Sequence, residues 1–73
     1  MTTGERLKEL RQKANLTLQD AGELIGTSKQ NLFKYENDII TNIPIDRLVK
    51  LAEIYNCEVK SSWNNLNFVI YPS

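Results

Sequence analysis

Four side chains between residues 29 and 34 have the residue types of a recognition surface. A helix turns about 100° per residue, so a helix here would hold them opposite the apolar residues Leu32 and Tyr35. Ammonium groups donate hydrogen bonds, an amide both donates and accepts, and an aromatic ring offers apolar contact. We expect this face to bind a partner. Its members are Lys29, Gln30, Phe33 and Lys34.

The chain has few of the groups that catalysis requires. Its 73 residues include no histidine and one cysteine, Cys57. We find no glycine-rich phosphate loop and no nucleophile with a base nearby in sequence, and we interpret Glu36 and Asp38 as solvated acids at a helix end. A single thiol makes neither an internal disulfide nor a zinc site. We therefore expect no enzyme activity, no metal and no cofactor.

Composition sets further bounds on the chain. The length of 73 residues is that of one small domain. Nine basic and nine acidic residues give zero formal charge, which argues against nonspecific polybasic binding but permits a locally positive face. The single cysteine favours a reducing cytoplasm. The sequence shows neither a signal peptide nor an apolar run of membrane-spanning length, so we expect no membrane association.

Two short helices joined by a tight turn must position the recognition side chains, within residues 18–37. Thr17 can cap the first helix, with Asp20 at the third helical position. Gly26 would end that helix in the left-handed conformation, and Ser28 can cap the next one. Such an abrupt stop and restart is the helix-turn-helix signature. The expected apolar stripe of the first of these helices is Leu18, Ala21, Leu24 and Ile25.

A further helix is predicted on each side of this pair. Thr2 and Glu5 can form a capping box for a helix over roughly residues 3–14. Its expected core residues are Leu7 and Leu10, with Ala14 closing the stripe. After the pair, Pro44 suits the first turn of a further helix. Ile45 offers no polar cap, so we expect a weak start. The core face of that helix, which ends near Asn56, is Leu48, Leu51, Ala52 and Tyr55.

The loop between the pair and this last helix contains three isoleucines. One interpretation is that one or two of them cover the core as the chain crosses it. The alternative is an exposed apolar patch that a partner binds. The residues concerned are Ile39, Ile40 and Ile43.

Residues 57–73 favour a β-hairpin. Asparagine tolerates the positive φ of a two-residue turn, so Asn64 and Asn65 can join the flanking segments 57–63 and 66–71. A lone hairpin is marginal in water, so it must pack on the helices or pair with another chain. The alternative is a short fifth helix near residues 59–63. In the hairpin register Trp63 faces Leu66, Ser61 faces Phe68 and Val59 faces Ile70.

Over about residues 3–56 the chain resembles the lambda-repressor-like family of Cro/repressor (XRE) type. The segments that carry the resemblance are RLKELRQKANLT, IGTSKQNLFKYEND and PIDRLVKLAEIYN. Gly22, Gly26 and Leu32 stand at the fifth, ninth and fifteenth places of the motif, and Gly22 would lie where its two helices approach most closely. The resemblance implies a mainly α fold, a bundle of four or five helices. Residues 57–73 depart from the commonest family pattern, a fifth helix, and their own pattern favours a C-terminal strand or hairpin. The resemblance divides the chain into a DNA-binding domain, residues 1–56, and an extension, residues 57–73.

The resemblance also implies which residues contact double-stranded DNA. In this family the second motif helix, here residues 28–36, lies in the major groove. Leu18 replaces a glutamine that usually reaches a phosphate. The implied base-facing residues are Ser28, Lys29, Gln30, Phe33 and Lys34. The implied backbone-contacting residues are Thr17, Gln19, Asn31, Asn37 and Arg11.

Two of these assignments leave alternatives open. The resemblance implies that Arg11 pairs with Glu36, whereas two solvated surface charges are the alternative. A docked Phe33 would touch a thymine methyl group. The alternative is that its ring folds back over the edge of the core.

Three functions follow from this sequence. The favoured one is a sequence-specific transcriptional regulator, a repressor that binds DNA as a homodimer. Residues 57–71 would form the contact between its two chains. The second is an antitoxin that binds both DNA and a toxin. The third is a protein-interaction module without DNA binding, which the neutral charge, Leu18 and Phe33 favour.

Overall fold

The computed structural model describes residues 2–61 and 68–72, and the side chains of residues 2–58. In these residues four helices precede two strands, which confirms the predicted mainly α fold. The elements are α1 (Thr3–Lys13), α2 (Leu18–Ile25), α3 (Lys29–Glu36), α4 (Ile45–Ile54), β1 (Cys57–Ser61) and β2 (Phe68–Pro72). No helix of the described residues is long and apolar enough to cross a membrane.

Local sequence signals set the helix ends. The hydroxyls of Thr2 and Thr17 accept hydrogen bonds from the amides of Glu5 and Asp20 at 3.1 and 3.0 Å, and both capping boxes are complete. Gly26 ends α2 in the left-handed conformation, with φ of 76°. These predictions are confirmed. The predicted absence of a polar cap on α4 is confirmed, but the positions differ by one residue. Pro44 is the N-cap, without a side-chain hydrogen bond, and Ile45 is the first helical residue.

The core lies between the four helices. Among the described side chains the largest that are fully buried are Leu7, Leu32 and Leu51, from α1, α3 and α4. Two predicted core residues are wrong. Ala14 is exposed beyond the end of α1, and Leu24 is 58% exposed. Leu24 lies six residues after the start of α2, which turns it about 120° away from Leu18 and out of the buried arc.

The loop after α3 covers the core. Ile40 and Ile43 are half-buried and pack against the buried cluster, whereas Ile39 is 63% exposed. This confirms the interpretation that one or two of the isoleucines close the core. Apolar surface also remains on α4, where Ile45 and Val49 are 45% and 40% exposed.

The two strands form an antiparallel pair in the predicted register. Ser61 pairs with Phe68 and Val59 with Ile70. The pair adjoins α4 and α1, so it packs on the helices. A strand at Cys57–Ser61 excludes the alternative fifth helix for the described part of that segment. The predicted turn at Asn64 and Asn65, and the pair Trp63 and Leu66, lie outside the described residues.

A contact missed in the sequence joins the start of α1 to the end of α3. The Asp38 carboxylate accepts hydrogen bonds from the Thr2 hydroxyl at 2.7 Å and from the Gly4 amide at 3.2 Å. A Cβ on Gly4 would lie 2.6 Å from the carbonyl oxygens of both Tyr35 and Glu36. The interpretation of Asp38 as a merely solvated acid is therefore wrong. Its charge stabilises the positive end of α1.

The first prediction concerns this close approach. Alanine favours a helix over glycine by up to about 1 kcal/mol. We nevertheless expect Gly4→Ala to lower the free energy of unfolding by about 1–3 kcal/mol, because backbone atoms of α3 must move. Urea unfolding measures it, with Gln12→Ala on the exposed face of α1 as the control. A Gly4→Ala protein at least as stable as the parent would contradict the packing.

The second prediction concerns Tyr55, which caps α4 and is 7% exposed. Its hydroxyl has no hydrogen-bond partner among the described residues. Burial, and then the negative charge of Glu36, raise the pKa of this phenol above its usual value of 10.0. The folded state therefore favours the neutral phenol. The stability that comes from keeping this phenol neutral is fully present below pH 10. It is lost as the pH rises from there through the folded-state pKa.

We expect Tyr55→Phe to leave the free energy of unfolding at pH 7 unchanged or higher, because it removes an unpaired buried hydroxyl. Above about pH 10 the variant should lose less stability than the parent. Tyr35→Phe is the matched control, since the Tyr35 hydroxyl accepts a hydrogen bond from Arg47 at 2.7 Å and its loss should destabilise. Equal losses for the two variants at pH 7, or parallel alkaline curves for Tyr55→Phe and the parent, would contradict this account.

Candidate nucleic-acid interface

The turn between α2 and α3 closes tightly on Gly22. The amide of Thr27 donates to the carbonyl of Gly22 at 2.8 Å. A Cβ on Gly22 would lie 2.9 Å from the Thr27 carbonyl oxygen and 3.4 Å from the Lys29 amide. The predicted close approach is confirmed, and the group that makes it is the backbone of the turn. A side chain here would change the angle between the two helices.

The sequence of α3 divides it into a buried and an exposed face. Ser28 is the N-cap of the helix, and its hydroxyl accepts a hydrogen bond from the backbone amide of Asn31 at 3.1 Å. Leu32 and Tyr35 are 0% and 3% exposed, which confirms their predicted inward position. The residues on the other face are exposed, namely Lys29, Gln30, Phe33 and Lys34. Phe33 is 49% exposed and lies outside the core cluster, so its ring does not fold over the core edge.

An ion pair fixes the end of α3 to α1. Nε of Arg11 donates to Oε2 of Glu36 at 2.7 Å, and Nη2 donates to Oε1 at 3.1 Å. Nη1 donates to the carbonyl of Leu16 at 2.9 Å, in the connector before α2. The side chains of Arg11 and Glu36 are 11% and 2% exposed, so the alternative of two solvated charges is wrong. The hydrogen bond to Glu36 raises the pKa of Arg11.

This arrangement gives Arg11 the role of holding α3. Each nitrogen of its guanidinium donates one hydrogen bond within the protein. These bonds use three of the five N–H donors of a guanidinium, so the ion pair does not exclude a phosphate contact. That Arg11 also contacts the DNA backbone stays a prediction.

The other predicted backbone-contacting residues lie at helix ends, and each has an internal hydrogen bond. The Thr17 hydroxyl caps α2. The side-chain amide of Gln19 donates to the Glu23 carboxylate at 3.3 Å, and that of Asn31 donates to the Thr27 hydroxyl at 3.2 Å. The side-chain amide of Asn37 donates to the backbone carbonyl of Phe33 at 2.8 Å. One cleft between α2 and α3 brings part of the predicted site together, lined by Gln19, Glu23, Thr27, Ser28, Lys29 and Gln30.

The local charge differs from the neutral total. The sole acid of α3 is Glu36, which is buried and paired with Arg11. The exposed face of α3 therefore carries the positive charges of Lys29 and Lys34. Glu23 at the edge of the cleft partly offsets them. Among the described residues no group of acids, cysteine or histidine comes together that could hold a metal.

The chain is similar in sequence to known proteins of the helix-turn-helix class. A helix-turn-helix family model matches residues 7–60. The HTH-type transcriptional regulator ImmR of Bacillus subtilis (strain 168) is 43% identical over 56 residues, which is 77% of this chain and 43% of that protein. A protein of Methanospirillum hungatei JF-1 is 44% identical over 43 residues, 59% of this chain and 14% of its own. One of Methanoregula boonei is 30% identical over 59 residues, 81% of this chain and 18% of its own.

The names of both methanogen proteins place them among HTH-type transcriptional regulatory proteins. The chain spans less than half the length of each of these relatives. No solved structure matches the chain.

The third prediction concerns the ion pair. Removing one member of a buried pair costs about 3–5 kcal/mol, whereas an exposed pair contributes about 0–1 kcal/mol. We expect Glu36→Gln to lower the free energy of unfolding by about 3–5 kcal/mol, because it leaves the Arg11 charge unpaired. The matched control is Glu9→Gln, which breaks the exposed Glu9–Lys13 pair at 3.3 Å. Similar small losses for both variants in denaturant unfolding would show that the buried pair does not fix α3.

Proposed function

Because the chain belongs to the helix-turn-helix family, we propose that it is a sequence-specific transcriptional regulator that binds double-stranded DNA with α3 in the major groove. One observation carries the proposal. The outward face of α3 is exposed and positive, while the sole acid of that helix is buried in an ion pair. A single helix of this kind fits the width of the major groove.

The exposed side chains of α3 have the chemistry for reading base edges. Gln30 can bond an adenine at two positions, and a lysine can donate to the acceptors of guanine or to phosphate. Ser28 and Lys29 stand at the N-terminal end of α3, which such proteins direct at the bases. Thr17, Gln19, Asn31 and Asn37 would contact the DNA backbone from the helix ends. Arg11 would approach it while paired with Glu36.

We further propose that two copies bind two half-sites about one helical turn apart and repress transcription by occupying the site. Exposed apolar side chains on α2 and α4 support self-association, namely Leu24, Ile45 and Val49. Residues 57–71 would pair between the two copies, outside a DNA-binding unit of residues 1–56. The same exposed side chains would contact a toxin or another protein in the alternative functions.

The experiment is a selection from randomised duplex DNA at two salt concentrations, followed by sequencing and by the mass of the complex. We expect a palindromic motif, two chains per duplex, and an affinity that falls as salt rises. Enrichment of a motif that a single chain binds would contradict the proposed dimer but would still support sequence-specific DNA binding. The absence of any enriched motif would contradict DNA recognition and favour a protein-interaction module.

The fourth prediction tests the charges on α3. Lys29→Ala and Lys34→Ala should each weaken binding to the selected site. A lysine that contacts phosphate should also lower the salt slope by about one, whereas one that contacts a base should relax preference at that base pair. Lys13→Ala removes the same charge beside Ile54 and Tyr55, away from α3, and is the control. Equal effects of all three substitutions in fluorescence anisotropy would show that only total charge matters.

A further inference from the structure

An apolar hollow of about 390 Å³ opens on the outward face of α3. Its wall is formed by α3 and by the first residue of α2, and most of the surface that lines it is apolar. The two lysines of the wall contribute through their aliphatic stems, which leaves their charged ends for solvent or a ligand. The lining residues are Leu18, Lys29, Gln30, Phe33 and Lys34.

The hollow brings together two side chains that are unusual on such a face. Phe33 is 49% exposed and lies outside the core. Leu18 is half-buried and packs against the core cluster, so the part of the wall that it forms is held in place. The two residues are fifteen positions apart in sequence, and only the turn of the chain at Gly26 places them on one hollow. An apolar wall that packs on the core, beside an exposed ring, is suited to an apolar group.

We propose that this hollow receives the 5-methyl group of a thymine in the major groove, and that Phe33 and Leu18 thereby determine one thymine of the binding site. The inference rests on the proposed function. Thymine is distinguished in the major groove by this methyl group, and apolar side chains, phenylalanine among them, recognise it. Lys29 and Lys34 on the rim fit the phosphates and base acceptors that surround such a methyl group. An apolar protein segment would offer neither ammonium group a negatively charged partner.

Gln30 supports the same occupant. Gln30 also lines the hollow, and its amide group can bond an adenine edge. An adenine is present in every base pair that contains thymine. The face therefore offers apolar contact for one base and a hydrogen-bonding amide for its partner or a neighbour.

The experiment replaces thymines of the selected duplex by uracil, one at a time. This change removes the methyl group and retains base pairing. Burying one such group corresponds to about a fourfold change in Kd. We expect one thymine in each half-site to show this loss with the parent chain. With Phe33→Ala the same replacement should have no effect.

Ile39→Ala is the matched control, because it truncates another exposed apolar side chain that does not line the hollow. It should keep the uracil penalty of the parent. Thermal unfolding of each variant checks that the fold is retained.

Three results would overturn the thymine contact while DNA binding stands. One is equal affinity for every uracil duplex, and another is a uracil penalty that persists in Phe33→Ala. The third is a selected site without thymine opposite α3. A chain that selects no DNA sequence would fail the proposed function, and the hollow would then be a site for a protein side chain.

Discussion

The ion pair between Arg11 and Glu36 joins three parts of the chain, and the setting of α3 depends on it. Two hydrogen bonds link α1 to the end of α3, and a third reaches Leu16 in the connector before α2. Ion pairs stabilise a fold weakly when exposed, but an unpaired charge at a buried position is costly. Any rotation of α3 that separated these groups would leave the Glu36 charge buried and without a partner. The pair therefore favours one orientation of the helix.

The same interaction determines the charge of the exposed face. It removes the sole acid of α3 from the surface and leaves Lys29 and Lys34 outward. The Asp38 carboxylate adds a second link between α3 and α1, at the amide of Gly4. The close turn at Gly22 sets the start of α3 against α2. A chain of zero net charge can thus present a positive helix, because the sole acid of α3 is buried in the ion pair.

Much of this structure could be predicted from local patterns. The caps at Thr2 and Thr17, the left-handed Gly26 and the strand register depend on residues close in sequence or on a two-residue period. The clasp between Gly4 and Asp38 could not be predicted, because it joins groups 34 residues apart and depends on packing. The prediction of Leu24 as a core residue was wrong for a geometric reason. Its spacing of six residues from Leu18 places it beyond the buried arc of α2. The hollow of Leu18 and Phe33 likewise exists only once the two helices are set at their angle.

The central claim is that the outward face of α3 is the surface that meets DNA. The most direct measurement is the NMR spectrum of the isotopically labelled chain, recorded as a selected duplex is added. We expect the largest shift changes at Ser28, Lys29, Gln30, Phe33 and Lys34, with smaller ones at the start of α2. Changes confined to Leu24, Ile45 and Val49, with the resonances of α3 unmoved, would contradict the account.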